Sequence, residues 1–236
     1  MGRYQEAQER LEESLAIAQE IGDRGRVAAI LQPLVWATLG RNDLSTARMY
    51  ADQALILARE VGTKRDLAAA INLRAQIHRL EGEPDTAEPL YDQVLLLGRE
   101  LEDSYIIAVG LLNLAMVAIA RGSVERTTKI LLSVIEIAEE FGSKIAGQSV
   151  LEVSAGFATL REDWQRAARF YGAAEAHMDR TGIVPDRADE AFLAPLIVKA
   201  RNAQPEATFA AAEAGGRALS YDQAMVEVRT WLEGAD

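Results

Sequence analysis

The 236-residue sequence contains no cysteine and only six prolines. Without cysteine the chain forms neither a disulfide scaffold nor a thiolate metal site, which fits a reducing compartment such as the cytoplasm. The longest apolar run covers 106–120, with Asn113 as its one polar residue. A membrane-spanning helix needs about 20 such residues. No signal peptide is visible at the polar start of the sequence. We therefore expect a cytoplasmic protein without a membrane span.

The sequence also has fewer basic than acidic residues, with 25 Lys and Arg against 36 Asp and Glu, which gives a formal net charge of −11. Such a field repels phosphate backbones, so we expect no direct nucleic-acid binding. The phosphate loop Gly-x-x-x-x-Gly-Lys-Ser/Thr of nucleotide-binding proteins is missing. The two histidines, His78 and His177, lie far apart, and neither has a carboxylate or second histidine at ligand spacing on its own helix. We expect no catalytic group, no metal and no cofactor.

What the sequence does contain is a repeat of 40 residues. One helix position recurs as Ala7, Ala47, Ala87, Thr127 and Ala167. Fifteen positions later come Gly22, Gly62, Glu102, Gly142 and Gly182, and five positions earlier come Gly2, Asn42, Gly82, Gly122 and Glu162. Glycine and asparagine tolerate the left-handed backbone that ends a helix. We therefore expect left-handed turns at Asn42, Gly82 and Gly122 and at Gly22, Gly62, Gly142 and Gly182, whereas the turns at Glu102 and Glu162 must close in another way.

Between the turns, apolar residues recur at helical spacing. They predict twelve helices and no strand, near 4–21, 24–40, 43–61, 64–81, 84–101, 104–121, 124–141, 145–160, 163–181, 186–203, 205–215 and 220–233. Pro33 and Pro89 fall inside two of these helices, where we expect kinks. Beyond Gly182 the 40-residue register is lost. We divide the chain into helical repeats over 1–182 and a helical capping segment over 183–236, since a terminal repeat needs a cap.

Two segments carry a family resemblance. Gly-Xaa-Tyr-Xaa-Xaa-Ala at 2–7, followed by an Ala/Leu-rich helix, resembles the second half of a tetratricopeptide repeat. The tail reads AARFYGAAEA over 167–176 and FAAAEAGGRALS over 209–220. It is similar to the long-repeat C-terminal regions of bacterial LuxR/AfsR-type transcriptional regulators and related ATPases. The resemblance implies a right-handed α-solenoid of tetratricopeptide-like helix pairs. It also implies an upstream nucleotide-binding module, and since the chain starts in mid-repeat, we expect it to be part of a larger protein.

In such arrays the first helix of each pair lines a concave face. Matching the repeat to this chain predicts a ligand-binding groove formed by Gln32, Trp36, Asn72, Gln76, Arg79, Leu112, Met116 and Glu152, with Ile119 beside them. Trp36 and Met116 would supply apolar area, the amides would bond a peptide backbone, and Arg79 would pair with a carboxylate. The alternative is that some of these side chains pack against neighbouring helices.

These features predict a non-catalytic module that binds a protein or peptide partner, or a small effector, in this groove. The family resemblance favours the sensor or interaction region of a larger bacterial transcriptional regulator or signalling ATPase. The alternative is a free-standing scaffold or co-chaperone-like adaptor that binds peptide segments. A groove that clamps a peptide carboxylate usually presents several basic residues, and only Arg79 qualifies here. A helical-repeat enzyme is a third alternative, but no catalytic grouping supports it. The sequence identifies neither the ligand nor the oligomeric state.

Overall fold

The computed structural model of the chain describes residues 2–234 and contains no strand within them. The described residues form twelve α-helices: α1 (Gly2–Glu20), α2 (Arg24–Gly40), α3 (Leu44–Val61), α4 (Lys64–Leu80), α5 (Pro84–Glu100), α6 (Ser104–Ala120), α7 (Val124–Glu140), α8 (Lys144–Leu160), α9 (Trp164–Thr181), α10 (Arg187–Asn202), α11 (Glu206–Arg217) and α12 (Tyr221–Glu233). The predicted all-α class and the predicted helices are confirmed, with ends that differ by at most two residues. Residues 1, 235 and 236, at the outer ends of the two predicted segments, lie outside the described residues.

The helix starts follow a period of 20 residues, half of the 40-residue repeat. From α2 to α9 each helix begins 20 residues after the one before. A short polar side chain precedes most of these starts and accepts a hydrogen bond from a backbone amide of the first turn. Such caps are Asp23, Asp43, Thr63, Asp103, Ser143 and Asp163. Because each cap satisfies one of the four free amides of a helix start, local sequence alone defines where most helices begin.

The same capping residues help to close the preceding turns. The amide of Asp43 donates to the Thr38 carbonyl at 3.0 Å, and equivalent bonds recur at six other turns of the described chain. The residue before the cap takes the left-handed conformation, as predicted for Asn42 and for most of the glycines. A single short motif therefore both ends one helix and starts the next.

Glu102 and Glu162 do not close their turns in another way, so that prediction was wrong. Both adopt the left-handed conformation, with φ of 51° and 59°. The usual bonds follow, from Asp103 N to Gly98 O and from Asp163 N to Ala158 O, each at 2.9 Å. A left-handed non-glycine residue costs roughly 1–2 kcal/mol, which the closing bond and the following cap offset.

Gly62 is the converse exception among the turn residues. It lies at a turn, as predicted, but its φ is −78° and its backbone is extended. Its amide donates to Ala58 O, and Thr63 begins α4 with a reciprocal capping box to Asp66. The left-handed conformation predicted at Gly62 was therefore wrong.

Neither proline inside a predicted helix ends that helix. Helix α2 continues through Pro33 to Gly40, and α5 continues through Pro89 to Glu100. The kinks expected at these two positions remain predictions. Pro195 lies within α10, where the helix likewise continues to Asn202.

The chain divides into two compact units, one ending at Ile106 and the other starting at Ile107. The core of the N-terminal unit includes Leu31, Leu34 and Ile77. The core of the C-terminal unit includes Phe157 and Phe170, and it also includes residues of α10, α11 and α12. The described part of the predicted segment 183–236, up to residue 234, therefore belongs to the same compact unit as α7, α8 and α9. Its role as a cap stays a prediction.

Helices α10–α12 are held on α8 and α9 by close contacts. Helix α11 approaches α9 so closely that a Cβ atom at Gly172 would lie 2.2 Å from the Glu213 carbonyl oxygen, and one at Gly216 would lie 1.8 Å from that of Arg169. Trp231 of α12 packs edge-on against Phe157 and Phe170, with ring centroids 5.4 and 5.2 Å away. Helix α10 packs on both α8 and α9.

Candidate functional site

The predicted groove residues of the N-terminal unit differ widely in exposure. Trp36 is 42% exposed, so it is not buried between helices. Gln32 and Asn72 are partly buried. Gln76 and Arg79 are buried, at 2% and 6% exposure. Trp36, Gln32 and Asn72 are thus accessible to a partner in this unit, whereas Gln76 and Arg79 are not.

Arg79 was predicted to pair with a ligand carboxylate, and its position corrects that role. Its side chain lies between α4 and α5, where Nε donates a hydrogen bond to the Tyr91 hydroxyl at 3.2 Å. Tyr91 is itself fully buried. An arginine whose head group is held inside the protein is not presented to a partner. The spacing placed Arg79 on α4 but could not show that α5 covers it.

The apolar groove residues of the C-terminal unit are core residues, which corrects a second part of the prediction. Leu112, Met116 and Ile119 are 6%, 0% and 3% exposed and lie in the hydrophobic core. Helix α6 is apolar on almost every side, and a helix of this kind is buried all round. These three side chains therefore offer no open surface. Because the predicted groove residues are divided between the two units, their assembly into one groove stays a prediction.

Glu152 differs from the other predicted residues because it lines a cavity. The cavity has a volume of about 460 Å³ and lies within the C-terminal unit, between α8, α9, α10 and the segment that joins the last two. Its walls are largely apolar: Ala174 and Met178 of α9, Val184 and Pro185 of the joining segment, and Leu193, Ala194, Ile197 and Val198 of α10. This volume falls in the range of small-ligand sites, about 300–1,000 Å³.

The repeat explains why Glu152 faces the cavity. Glu152 occupies the same position in its repeat as Gln32, Asn72 and Leu112, which precede it at 40-residue steps. In α8 this face is covered by α10. One turn further on lies Gly156, where a Cβ atom would come within 2.7 Å of a Leu193 methyl carbon. The missing side chain at Gly156 lets α10 approach there, and the cavity lies beside Glu152.

The environment of Glu152 disfavours its charge. Its Oε1 accepts a hydrogen bond from Gln148 Nε2 at 3.0 Å, and the same amide nitrogen donates to the Ile183 carbonyl at 3.0 Å. Burial raises the pKa of Glu152 to about 7, the Gln148 bond opposes this effect, and the negative charges of Asp189 and Glu190 add to it. Within residues 2–234, no lysine, arginine or histidine forms an ion pair with Glu152.

The other charged groups around the cavity have partners. Glu175 accepts hydrogen bonds from Tyr171 and, at 2.9 Å, from Arg217. Glu190 pairs with Arg187. The Arg201 guanidinium lies 4.3 Å from the centre of the Phe209 ring and 3.7 Å from a Glu213 carboxylate oxygen. Among the described lining residues, Glu152 is therefore the one carboxyl group without a compensating charge.

Sequence reasoning missed the contribution of α10 and of residues 184–185 to this site. The tail lies outside the 40-residue register, so the repeat gave no way to place it over α8. The only signal was the pair Asp189 and Glu190 followed by apolar residues at helical spacing, which is ordinary for the first turns of a surface helix.

The structure also corrects the expectation for His78. Its Nδ1 lies 2.7 Å from Glu83 Oε2 and 3.9 Å from Glu81 Oε2. Helix α4 ends at Leu80, and the left-handed turn at Gly82 brings Glu83 back to the histidine. Glu81 is also paired with Arg48, so an ion bound here would compete with an existing cation. The prediction that the protein holds no metal is untested.

His177 has no such neighbour. It is 3% exposed and stacks against Tyr221, with ring centroids 4.8 Å apart. Burial lowers its pKa, and the positive charges of Arg180 and Lys144 lower it further. The environment therefore keeps the ring neutral near pH 7, as expected for a core histidine.

No helix in the described part of the chain combines the length and the hydropathy needed to cross a membrane.

Comparisons with known proteins agree with the helix-pair architecture. A family model described as a tetratricopeptide repeat matches residues 70–105, which cover the end of α4, all of α5 and the start of α6. The solved structures that match include the crystal structure of BtubC (BKLC) from P. vanneervenii. It is 19% identical, has a TM-score of 0.60, and the match covers 98% of this chain and 92% of that chain. A comparison with curated proteins gives no match. The predicted fold class, an all-α solenoid of tetratricopeptide-like helix pairs, is confirmed.

Proposed function

We propose that this chain is a non-catalytic binding module and that the cavity lined by Glu152 receives a side chain of a peptide partner or a small effector. The observation that carries the proposal is the cavity itself, with apolar walls and one uncompensated carboxyl group. Specific ligand sites combine these features, because the walls supply burial and a few polar groups fix orientation. The tetratricopeptide match supports a binding role, since repeats of this kind generally mediate protein–protein interactions.

The wider context of this module rests on the resemblance of its tail. We propose that it is the sensor or interaction region of a bacterial transcriptional regulator or signalling ATPase. A free-standing scaffold that binds peptide segments is the alternative. The full-length gene separates the two, because an upstream phosphate-loop module supports the first and its absence supports the second.

The test of the binding role uses a side chain that fills the cavity from its open side. Ala194 lines the cavity and is exposed, so Ala194→Trp places an indole in the cavity without disturbing the core. Ala211 on α11 is also exposed but does not line the cavity, so Ala211→Trp is the matched control. A library of short peptides and small fragments is screened against the three proteins by ligand-observed NMR.

We expect a set of binders that the unchanged protein and Ala211→Trp share and that Ala194→Trp loses, with the helicity of all three equal. If the library gives no binder, or if the binders are retained by Ala194→Trp, the cavity is not the binding site. Loss of the binders in Trp36→Ala instead would assign the function to the exposed surface of the N-terminal unit.

A further inference from the structure

The unpaired carboxyl group of Glu152 indicates what kind of ligand the cavity takes. We infer that the ligand carries a protonated amine on an apolar chain and that this ammonium group pairs with Glu152. The inference rests on the proposed binding function and adds the chemical class of the ligand to it. Free aliphatic amines and lysine side chains share this chemistry.

The first argument is the missing counter-charge. Glu152 is partly buried, and a carboxylate shielded from water is stabilised when it is paired with a cation or well supplied with hydrogen bonds. Glu152 receives one hydrogen bond, from Gln148, and no basic residue of the described chain pairs with it. Arg187 and Arg201, the basic residues of the cavity wall, point their charge at Glu190 and Glu213. A bound ammonium group would supply the charge that the fold leaves out.

The second argument is the sign of the surrounding field. The cavity wall carries Glu152, Glu175 and Glu190 against Arg187 and Arg201. Next to the wall, Arg217 pairs with Glu175, Glu213 pairs with Arg201, and Asp189 acts on Glu152, so carboxyl groups outnumber arginines around the cavity. This balance attracts a cation and repels a ligand carboxylate. Helices α7 and α12 also pack on α8, but none of their described charged residues lines the cavity.

The third argument is the shape and polarity of the remaining space. The cavity has room for a ligand considerably larger than an ammonium ion, and its walls are mostly methyl and methylene groups. An alkyl chain attached to the amine would bury its apolar surface there, at roughly 25 cal/mol per Å² removed from water. Alkylammonium groups match both the charged end and the apolar remainder of the site.

Binding of a cation should be linked to the release of a proton from Glu152. An aliphatic amine keeps its proton over the range from pH 6 to pH 8. A carboxyl group with a pKa of about 7 is ionised about ten times more often at pH 8 than at pH 6, so the affinity should rise by the same factor. His177 does not line the cavity, and burial together with the charges of Arg180 and Lys144 lowers its pKa.

The test compares three probes of equal chain length, hexylammonium, hexanol and hexanoate, by isothermal titration calorimetry on the whole chain at pH 6 and pH 8. We expect hexylammonium to bind at least tenfold more tightly than hexanol at pH 8, and hexanoate not to bind. We expect the hexylammonium affinity to fall about tenfold at pH 6. In Glu152→Gln, which keeps the size and the hydrogen-bonding capacity of the side chain, hexylammonium should bind no better than hexanol at either pH.

The matched control is Glu206→Gln on α11, which removes one exposed carboxylate outside the cavity and should keep the full preference for the cation. The acetylated and amidated peptide Leu-Lys-Leu serves as a further probe. Tighter binding of this peptide than of hexylammonium assigns the site to peptide lysines, and the reverse assigns it to free amines.

Three results would overturn the inference: hexanol or hexanoate binding as tightly as hexylammonium, an affinity that does not change between pH 6 and pH 8, or a preference for the cation that survives in Glu152→Gln. If hexanol and hexanoate bind and Ala194→Trp abolishes that binding, the cavity still functions as a binding site and only the ligand class is wrong. If none of the probes binds, the ligand class is also wrong, and the library screen alone then decides the binding role.

Discussion

At the scale of single residues, Glu152 couples stability to pH. Its pKa is about 7 in the folded chain, against an ordinary value of 4.5, because the carboxyl group is buried. Between these two values the folded state holds a proton that the unfolded chain has released. The free energy of unfolding therefore falls as the pH rises from 4.5 to 7, and the loss is complete above pH 7. Glu152 therefore lowers the free energy of unfolding near neutral pH, and a residue that costs stability in this way is consistent with a role in binding.

This reasoning predicts the behaviour of Glu152→Gln in the absence of ligand. At pH 8 the substitution should raise the free energy of unfolding by up to about 3 kcal/mol, because the amide cannot ionise. At pH 4.5 the effect should be small, since Glu152 is then protonated. Urea denaturation of the unchanged protein and of Glu152→Gln at the two pH values measures the difference. Any contribution of His177 to the free energy of unfolding cancels in this comparison, because both proteins contain that residue. An effect of equal size at both pH values would contradict the assigned cause, as would an equal gain in Glu206→Gln.

At the scale of the elements, two kinds of glycine have different roles. Glycines of the first kind supply a left-handed turn, and a Cβ atom at these positions would meet no other atom within 4 Å. They are Gly22, Gly82, Gly122 and Gly142. Glu102 and Glu162 take the same conformation, so these turns tolerate a side chain at a modest cost. Gly172 and Gly216 lie within helices and allow the backbones of α9 and α11 to touch.

The second kind should be far more sensitive to substitution. Gly216→Ala places a methyl group 1.8 Å from the Arg169 carbonyl oxygen, which is backbone and cannot move aside. We expect a loss of about 2 kcal/mol or more, larger than the roughly 1 kcal/mol gained in helix propensity. Chemical denaturation followed by circular dichroism measures the loss.

The adjacent Gly215 provides the control for this prediction. In Gly215→Ala the new methyl group meets only the guanidinium group of Arg169, mainly at Nη1, and this group is the end of a flexible side chain. Its stability should be unchanged or raised by up to about 1 kcal/mol, the gain in helix propensity. Equal destabilisation by the two substitutions would show that the close approach of α9 and α11 does not decide the effect.

At the scale of the whole molecule, the two compact units have separate buried cores. Leu34 is fully buried in the N-terminal unit, and Phe157 is fully buried in the C-terminal unit, where it contacts Trp231. In helical-repeat proteins each repeat interacts with its neighbours only, so stability is a sum of local terms. A substitution that destabilises one core should therefore promote local unfolding in its own unit before it affects the other unit.

Hydrogen exchange followed by mass spectrometry tests this expectation. Phe157→Ala should cost about 3–5 kcal/mol and speed exchange in α7, α8, α9 and α12, while exchange in α1–α4 stays near its original rate. Leu34→Ala should cost about 2–5 kcal/mol and give the reverse pattern. If either substitution accelerates exchange evenly along the whole chain, the protein unfolds as one cooperative unit and the division into two cores has no energetic meaning.

The sequence by itself determined the helices. Caps such as Asp43 and Asp163, turn residues such as Gly82 and apolar spacing are all local signals, because the groups that they satisfy lie within a few residues of each other. The helix bounds, the all-α class and the 40-residue repeat could therefore be derived without a structure. The conformation of Glu102 was predicted wrongly because the left-handed conformation favours glycine but does not require it.

Tertiary structure alone decided which predicted site residues remain accessible. Repeat position placed Glu152, Met116 and Arg79 on the first helices of their pairs, but Met116 is covered by core packing and Arg79 is turned toward Tyr91. Glu152 lines a cavity because α10, which lies outside the repeat, packs across α8. Burial and the loss of a counter-charge depend on which helices meet in space, and the periodicity of one chain segment carries no information about a distant segment that covers it.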